Sequence, residues 1–300
     1  MSSIVLALLI LLFLVTSVIG VVTGSNSLIA VPVMFQVGVD EKVAVATNMF
    51  GLVFMAVGGA IPFLRKGAVD VRALSPMILL TIVGSAIGAA IVGYISNDTI
   101  KIIVTAAMFA IVIFTLLGGG RGSKDGGATA GGTDLKKELS TKVHENTPNF
   151  KELSPFSGIS RWFADKNSLG VATKTSGGFL RIAGYLLVFL LAIYGGLYSG
   201  GYVTVLTASL VAFFGFNYAG SIAATKVINI FSSSVATAVF IYQGLVDFKL
   251  GVILGVTMFV GAYIGAHFAS KMNEVWLRRI FLTAVVLLAV KTIYDLFLTA

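Results

Sequence analysis

Long runs without charge constrain this chain more than any other feature. From Met1 to Val39 there is no Asp, Glu, Lys or Arg. The segments 43–64, 73–97, 102–120 and 280–290 are equally free of charge. Between Ile182 and Val246 a single charged residue, Lys226, interrupts the pattern. Apolar stretches of about 20 residues are long enough to cross a bilayer as helices. Only 11% of the residues are charged, against about 25% in a soluble domain. The chain therefore reads as an all-α polytopic membrane protein, multi-pass in a cell membrane, with the lipid bilayer as one partner.

The formal charge of +8 does not point to nucleic acid, because much of the basic charge sits in one long polar stretch. Membrane proteins place Lys and Arg in cytoplasmic loops. Cysteine is absent, which excludes disulfides, thiolate metal ligands and cysteine nucleophiles. No metal site and no cofactor are expected. The N-terminal apolar run lacks a basic leader and a small-residue cleavage site, so it is expected to be a first span.

Apolar segments are expected at 3–20, 21–38, 42–64, 73–96, 101–118, 180–196, 200–215, 219–243, 248–270 and 277–299. Three units follow: an N-terminal membrane repeat over 1–118, a polar connector over 119–179, and a C-terminal membrane repeat over 180–300. The connector begins with "GGGRGSKDGGATAGGTD", a linker-like composition. It continues with "FKELSPFSGISRWFADK". There Phe150, Phe156, Trp162 and Phe163 alternate with Lys151, Arg161 and Lys166, a pattern that suits either a membrane surface or a loop.

The two apolar halves repeat one another. Gly20-Val-Val-Thr-Gly24 answers Gly196-Leu-Tyr-Ser-Gly200, and "AVATNMF" (44–50) answers "IAATKVI" (222–228). "RKGAVD" (65–70) answers "YQGLVD" (242–247), and "GSAIGA" (84–89) answers "GAYIGA" (261–266). The offset stays within 176–178 residues, which indicates internal duplication. Such duplication is common in secondary transporters, with substrate held where the halves meet. Each half then has four or five segments, eight to ten in all, depending on whether its Gly-rich segment crosses or re-enters. The distribution of Lys and Arg over the loops favours five segments and an inverted repeat.

Polar residues inside apolar segments mark the candidate site. "TGSNS" (23–27) and "YSGGYVT" (198–204) put Gly24, Ser25, Asn26, Ser27, Gly200, Gly201 and Tyr202 where a helix would break. A break leaves free N–H groups at the start of the next half-helix, a ready anion site. Close packing through small residues is the competing reading. Thr47, Asn48, Thr225 and Asn229 could supply hydrogen bonds. Lys226 is a lone ammonium in an apolar segment: it either faces an anion or snorkels to the interface. Gly84-x-x-x-Gly88 and Gly261-x-x-x-Gly265 read as close helix contacts. Asp70 and Asp247 read as helix caps. His267, the one histidine in an apolar segment, is either a packing residue or a proton relay.

In this order the blocks resemble the TauE/SafE family of sulfite and organosulfonate exporters. The resemblance rests on the Gly-rich segment followed by Pro32, the Ala-Thr-x blocks at Thr47 and Thr225, the turns ending in Asp70 and Asp247, and the paired Gly-x-x-x-Gly helices. It departs from the family at Ser25, Asn26 and Ser27, which stand where more glycine is usual. The resemblance implies a transporter, not an enzyme, exporting small sulfur-containing anions such as sulfite or sulfoacetate by alternating access. An anion channel and, more remotely, an intramembrane serine hydrolase are the alternatives.

Overall fold

The structure is a computed structural model that describes residues 3–24, 26–65, 71–119, 178–216 and 218–268. Ser25, Asp70, the surface segment 150–166 and the apolar segment 277–299 lie outside them. Among the described residues all regular structure is helical. The elements are α1 (Ser3–Thr23), α2 (Ser27–Gln36), α3 (Glu41–Arg65), a 3₁₀ turn (Arg72–Leu74), α4 (Ser75–Tyr94), α5 (Asn97–Gly119), α6 (Gly178–Leu197), α7 (Tyr202–Phe214), α8 (Tyr218–Tyr242) and α9 (Phe248–Phe268).

Among the described residues five stretches are long and apolar enough to cross a membrane: Ser3–Val21, Glu41–Arg65, Arg72–Tyr94, Gly220–Tyr242 and Phe248–Phe268. The chain is a multi-pass membrane protein. By contrast α2 has 10 residues and α7 has 13. At ~1.5 Å per residue they reach about 15 and 20 Å, short of a hydrocarbon core of ~30 Å. Each of them follows a Gly- and Ser-containing interruption, as the sequence predicts.

Apolar side chains face outward and polar ones inward. Ile4, Leu8, Leu11 and Val15 form an exposed stripe on α1; Leu79, Val83, Ile87 and Ile91 form one on α4; Val252, Val256 and Val260 form one on α9. Their spacing of three and four residues is one helix face. In water such surfaces would be an aggregation hazard; in lipid they are the solvated side. Thr47, Asn48, Ser85, Thr225, Lys226, Asn229, Ser232 and Ser233 are buried at the centre.

Glycines set how the helices pair. Gly84 and Gly88 on α4 lie against the backbone of Phe189 and Ile193 on α6. Gly261 and Gly265 on α9 lie against the backbone of Leu14 and Val18 on α1. A Cβ at Gly88 would overlap the Ile193 carbonyl, so only glycine permits this approach. Both Gly-x-x-x-Gly pairs are thus helix contacts. On α3, residues 47, 50, 54 and 58 meet residues 251, 255 and 259 of α9 in ascending order.

These registers fix the helix directions. Since 14–18 meets 261–265 and 47–58 meets 251–259, helices α1, α3 and α9 run one way. Helices α4, α6 and α8 run together too: Gly84 meets Ala192, Ser85 bonds Ser232, and Gln243 bonds the carbonyls of Ala89 and Ala90. The two sets oppose one another. Thr47 near the start of α3 accepts from the Asp247 N–H just past α8, whereas Gly59 lies beside Lys226 in the first half of α8. Capping is also visible. Asp247 accepts from Leu250 N–H at the start of α9, and Asp40 accepts from Lys42 and Val43 N–H at the start of α3.

Candidate functional site

The two interruptions meet in the interior. Gly24 has φ +79° and Gly201 has φ +80°, the left-handed region where a side chain is disfavoured. Gly38 and Gly215, which end α2 and α7, are left-handed as well, at +85° and +70°. Both pairs are 177 residues apart. By backbone conformation Gly24 corresponds to Gly201, one residue on from the pairing with Gly200 that the sequence blocks suggest.

Ser27, the first residue of α2, joins the two breaks. Its hydroxyl lies 2.7 Å from the Ser199 hydroxyl and accepts from Asn48 Nδ2 at 2.9 Å. Its carbonyl accepts from the Tyr198 hydroxyl at 3.0 Å. The Tyr194 hydroxyl donates to the Gly200 carbonyl. Gly24 touches Thr204 and Val203 at the start of α7. The N-terminal ends of α2 and α7 are consequently side by side, and neither carries a side-chain cap. Helix N-termini present N–H groups and positive potential.

A cavity of about 20 Å³ lies against this junction, room for one water. Gly20, Gly24, Asn26 and Ser27 border it from α1 and α2, Ser199 and Val203 from the second break, Lys226 and Asn229 from α8, and Leu52, Met55 and Ala56 from α3. Among the described residues no acidic side chain borders it. Lys226 is 4% exposed and Asn26 3%. The Lys226 stem passes Gly59, so the side chain is held inside and does not snorkel. Among the described residues its ammonium has no carboxylate or hydrogen-bond partner. Both polar atoms of the Asn26 side chain, and Oδ1 of Asn48, are buried without a partner. A buried cation and unpaired amides are costly alone. The arrangement suits a ligand that brings negative charge and several acceptor oxygens.

A family model described as sulfite exporter TauE/SafE matches residues 8–292. This chain belongs to the TauE/SafE family. It is similar to the probable membrane transporter protein ORF9 of Sinorhizobium sp, 22% identical over 97% of this chain and 93% of the relative. A probable membrane transporter protein of Haemophilus influenzae is 22% identical over 97% and 95%. The probable membrane transporter protein YfcA of Escherichia coli K12 is 22% identical over 98% and 91%. No solved structure matches. A membrane transporter of this family needs a place for a small substrate inside the bundle, and the cavity is the candidate.

In this TauE/SafE protein the structure brings Gly24, Asn26, Ser27, Lys226 and Asn229 to the cavity. Asn48 stands one hydrogen bond behind, on Ser27. Gly200 and Gly201 shape the second break without bordering the cavity. Tyr202 is fully buried in a core cluster with Leu206 and Leu210. Thr225 bonds Thr207 and the Ser221 carbonyl, and Thr47 receives the Asp247 N–H. Both threonines tie elements together away from the cavity. His267 is exposed at the end of α9, ring-on-edge with Phe268 at 5.0 Å, and is not among the residues that border the cavity. Sequence reasoning missed Ser199 and the α3 wall. Ser199 lay inside the quoted "YSGGYVT" block; Leu52, Met55 and Ala56 carry no signal that separates a cavity wall from core.

Proposed function

We propose that this membrane transporter carries small sulfur-containing anions, such as sulfite or an organosulfonate like sulfoacetate, out of the cell across the plasma membrane. It does so by alternating access, with no chemical conversion and no cofactor. The substrate sits between two inverted repeats, at the cavity where the two breaks meet. The observation that carries this reading is Lys226: a buried, unpartnered ammonium facing the same cavity as two uncapped helix starts and the free Asn26 amide. Repeat-matched pairs α1/α6, α3/α8 and α4/α9 run in opposite directions, which supports the inverted arrangement. The short α2 and α7, with left-handed glycines at both ends, support paired half-helices.

The anion's oxygens take the N–H groups of the helix starts, Ser27, Ser199, Asn26 and Asn229, while Lys226 offsets the charge. A cavity with room for one water fits a closed conformation, so the wall has to move for a larger anion to load. That favours a carrier over an open channel. The test is sulfite and sulfoacetate flux from proteoliposomes with sulfate as the control anion. A carrier gives flux that saturates with concentration; unsaturated high conductance contradicts it.

A further inference from the structure

The cavity has two unlike walls. Asn26, Ser27, Ser199, Lys226 and Asn229 make one side polar; Leu52, Met55 and Ala56 of α3 make the other apolar. The contrast is not an accident of depth, because α3 and α8 are both 25 residues long and align end to end. At the offset of 177 that the helix ends share, one residue from the 178 of the sequence blocks, α3 carries Met49, Leu52, Met55 and Ala56 where α8 carries Lys226, Asn229, Ser232 and Ser233. All eight of these residues are buried, and Ser233 also donates to Asn229 Oδ1 within α8. At these four positions α8 is polar and α3 apolar, whereas Thr47 and Asn48 are the buried polar residues earlier on α3.

A small inorganic anion such as sulfite uses the polar wall alone, since the apolar wall offers its oxygens no partner. An anion with a short apolar substituent matches both walls. Its head meets the ammonium and amides, and its tail meets α3. Met55 is placed to set the room for that tail. It borders the cavity, and its terminal methyl rests against Gly20, so close that a Cβ there would stand 3.0 Å from it. Methionine is unbranched and adapts its shape, so the wall can yield to a tail yet still limit it.

We propose that Met55, seated against Gly20, is the specificity-determining residue for the length of an apolar substituent on the bound anion. The proposal rests on the anion-site reading above. The test is calorimetric titration of the purified full-length protein with methanesulfonate, ethanesulfonate and propane-1-sulfonate, repeated with Met55→Ala and Gly20→Ala. Native protein binds a short alkyl member most tightly and falls off with length. Met55→Ala shifts the ratio in favour of propane-1-sulfonate by about tenfold or more, the scale of one methylene in an apolar pocket. Gly20→Ala puts a methyl on the cavity border, 3.0 Å from the Met55 methyl and 3.1 Å from the Asn26 Cβ, and by taking up that room shifts the ratio the other way. Two variants with opposite expected shifts keep the test decisive if one of them folds poorly. Anion binding with the same length ranking in all three proteins overturns the proposal alone. Absence of any anion binding to the native protein overturns it together with the anion-site reading.

Discussion

The hydroxyl of Ser27 lies 2.7 Å from that of Ser199, although 172 residues separate them in the chain. This bond ties the start of α2 to the end of the second break, and Asn48 Nδ2 adds a third helix to the same oxygen. Ser27 therefore holds together elements contributed by both apolar halves.

Replacing Ser27 with Ala removes the acceptor for Asn48 and the partner of Ser199, both in a buried setting. Leaving buried polar groups unpaired costs about 1–3 kcal/mol. Ser27→Ala is expected to lower the melting temperature of the purified protein measurably. Asn48→Ala in the same background is expected to recover part of the loss, because it removes one orphaned group. An unchanged melting temperature for Ser27→Ala contradicts the hub role.

Left-handed glycines allow a controlled comparison. At Gly38 a Cβ would meet nothing within 4 Å, so Gly38→Ala isolates the backbone cost, about 1–2 kcal/mol. At Gly24 the same φ is combined with Thr204 Oγ1 at 2.9 Å and Thr204 N at 3.2 Å from a Cβ. Gly24→Ala is expected to destabilise more than Gly38→Ala in parallel thermal melts, because it also pushes the two breaks apart.

Helix glycines divide in the same way. Gly88→Ala drives a methyl into the Ile193 carbonyl, whereas Gly59→Ala places one at 3.7–3.9 Å from Val21, Lys226 and Ala262, ordinary contact. Gly88→Ala is expected to abolish the monodisperse peak on size-exclusion chromatography. Gly59→Ala is expected to be neutral or to gain up to about 1 kcal/mol from better helix propensity.

Much of this was legible because polar atoms are expensive in hydrocarbon. The breaks around Gly24 and Gly200 and the ammonium of Lys226 stood out in apolar sequence, and the structure gathers Gly24, Asn26, Ser27, Lys226 and Asn229 at one cavity. The same reasoning drew in Thr47 and Thr225, whose hydroxyls hold a loop N–H and a neighbouring threonine. A polar residue in a span signals that something must satisfy it, not whether a ligand or a neighbour does. Leu52, Met55 and Ala56 were silent for the opposite reason, since apolar residues serve lipid faces, cores and cavity walls alike. Which glycine of the second break matches Gly24 needed backbone angles: "SGG" offers two glycines, and sequence alone does not say that Gly201 is the left-handed one.

The most direct measurement is titration of sulfite, sulfoacetate and sulfate into the purified protein, native against Lys226→Ala. Hydrogen bonds to a charged group contribute about 1.5–3 kcal/mol, which corresponds to roughly tenfold to a hundredfold in affinity. The expected result is binding of sulfite or sulfoacetate in preference to sulfate by the native protein, weakened at least about tenfold by Lys226→Ala. Failure of the native protein to bind any small anion would contradict the central claim that the junction of the two breaks is an anion site.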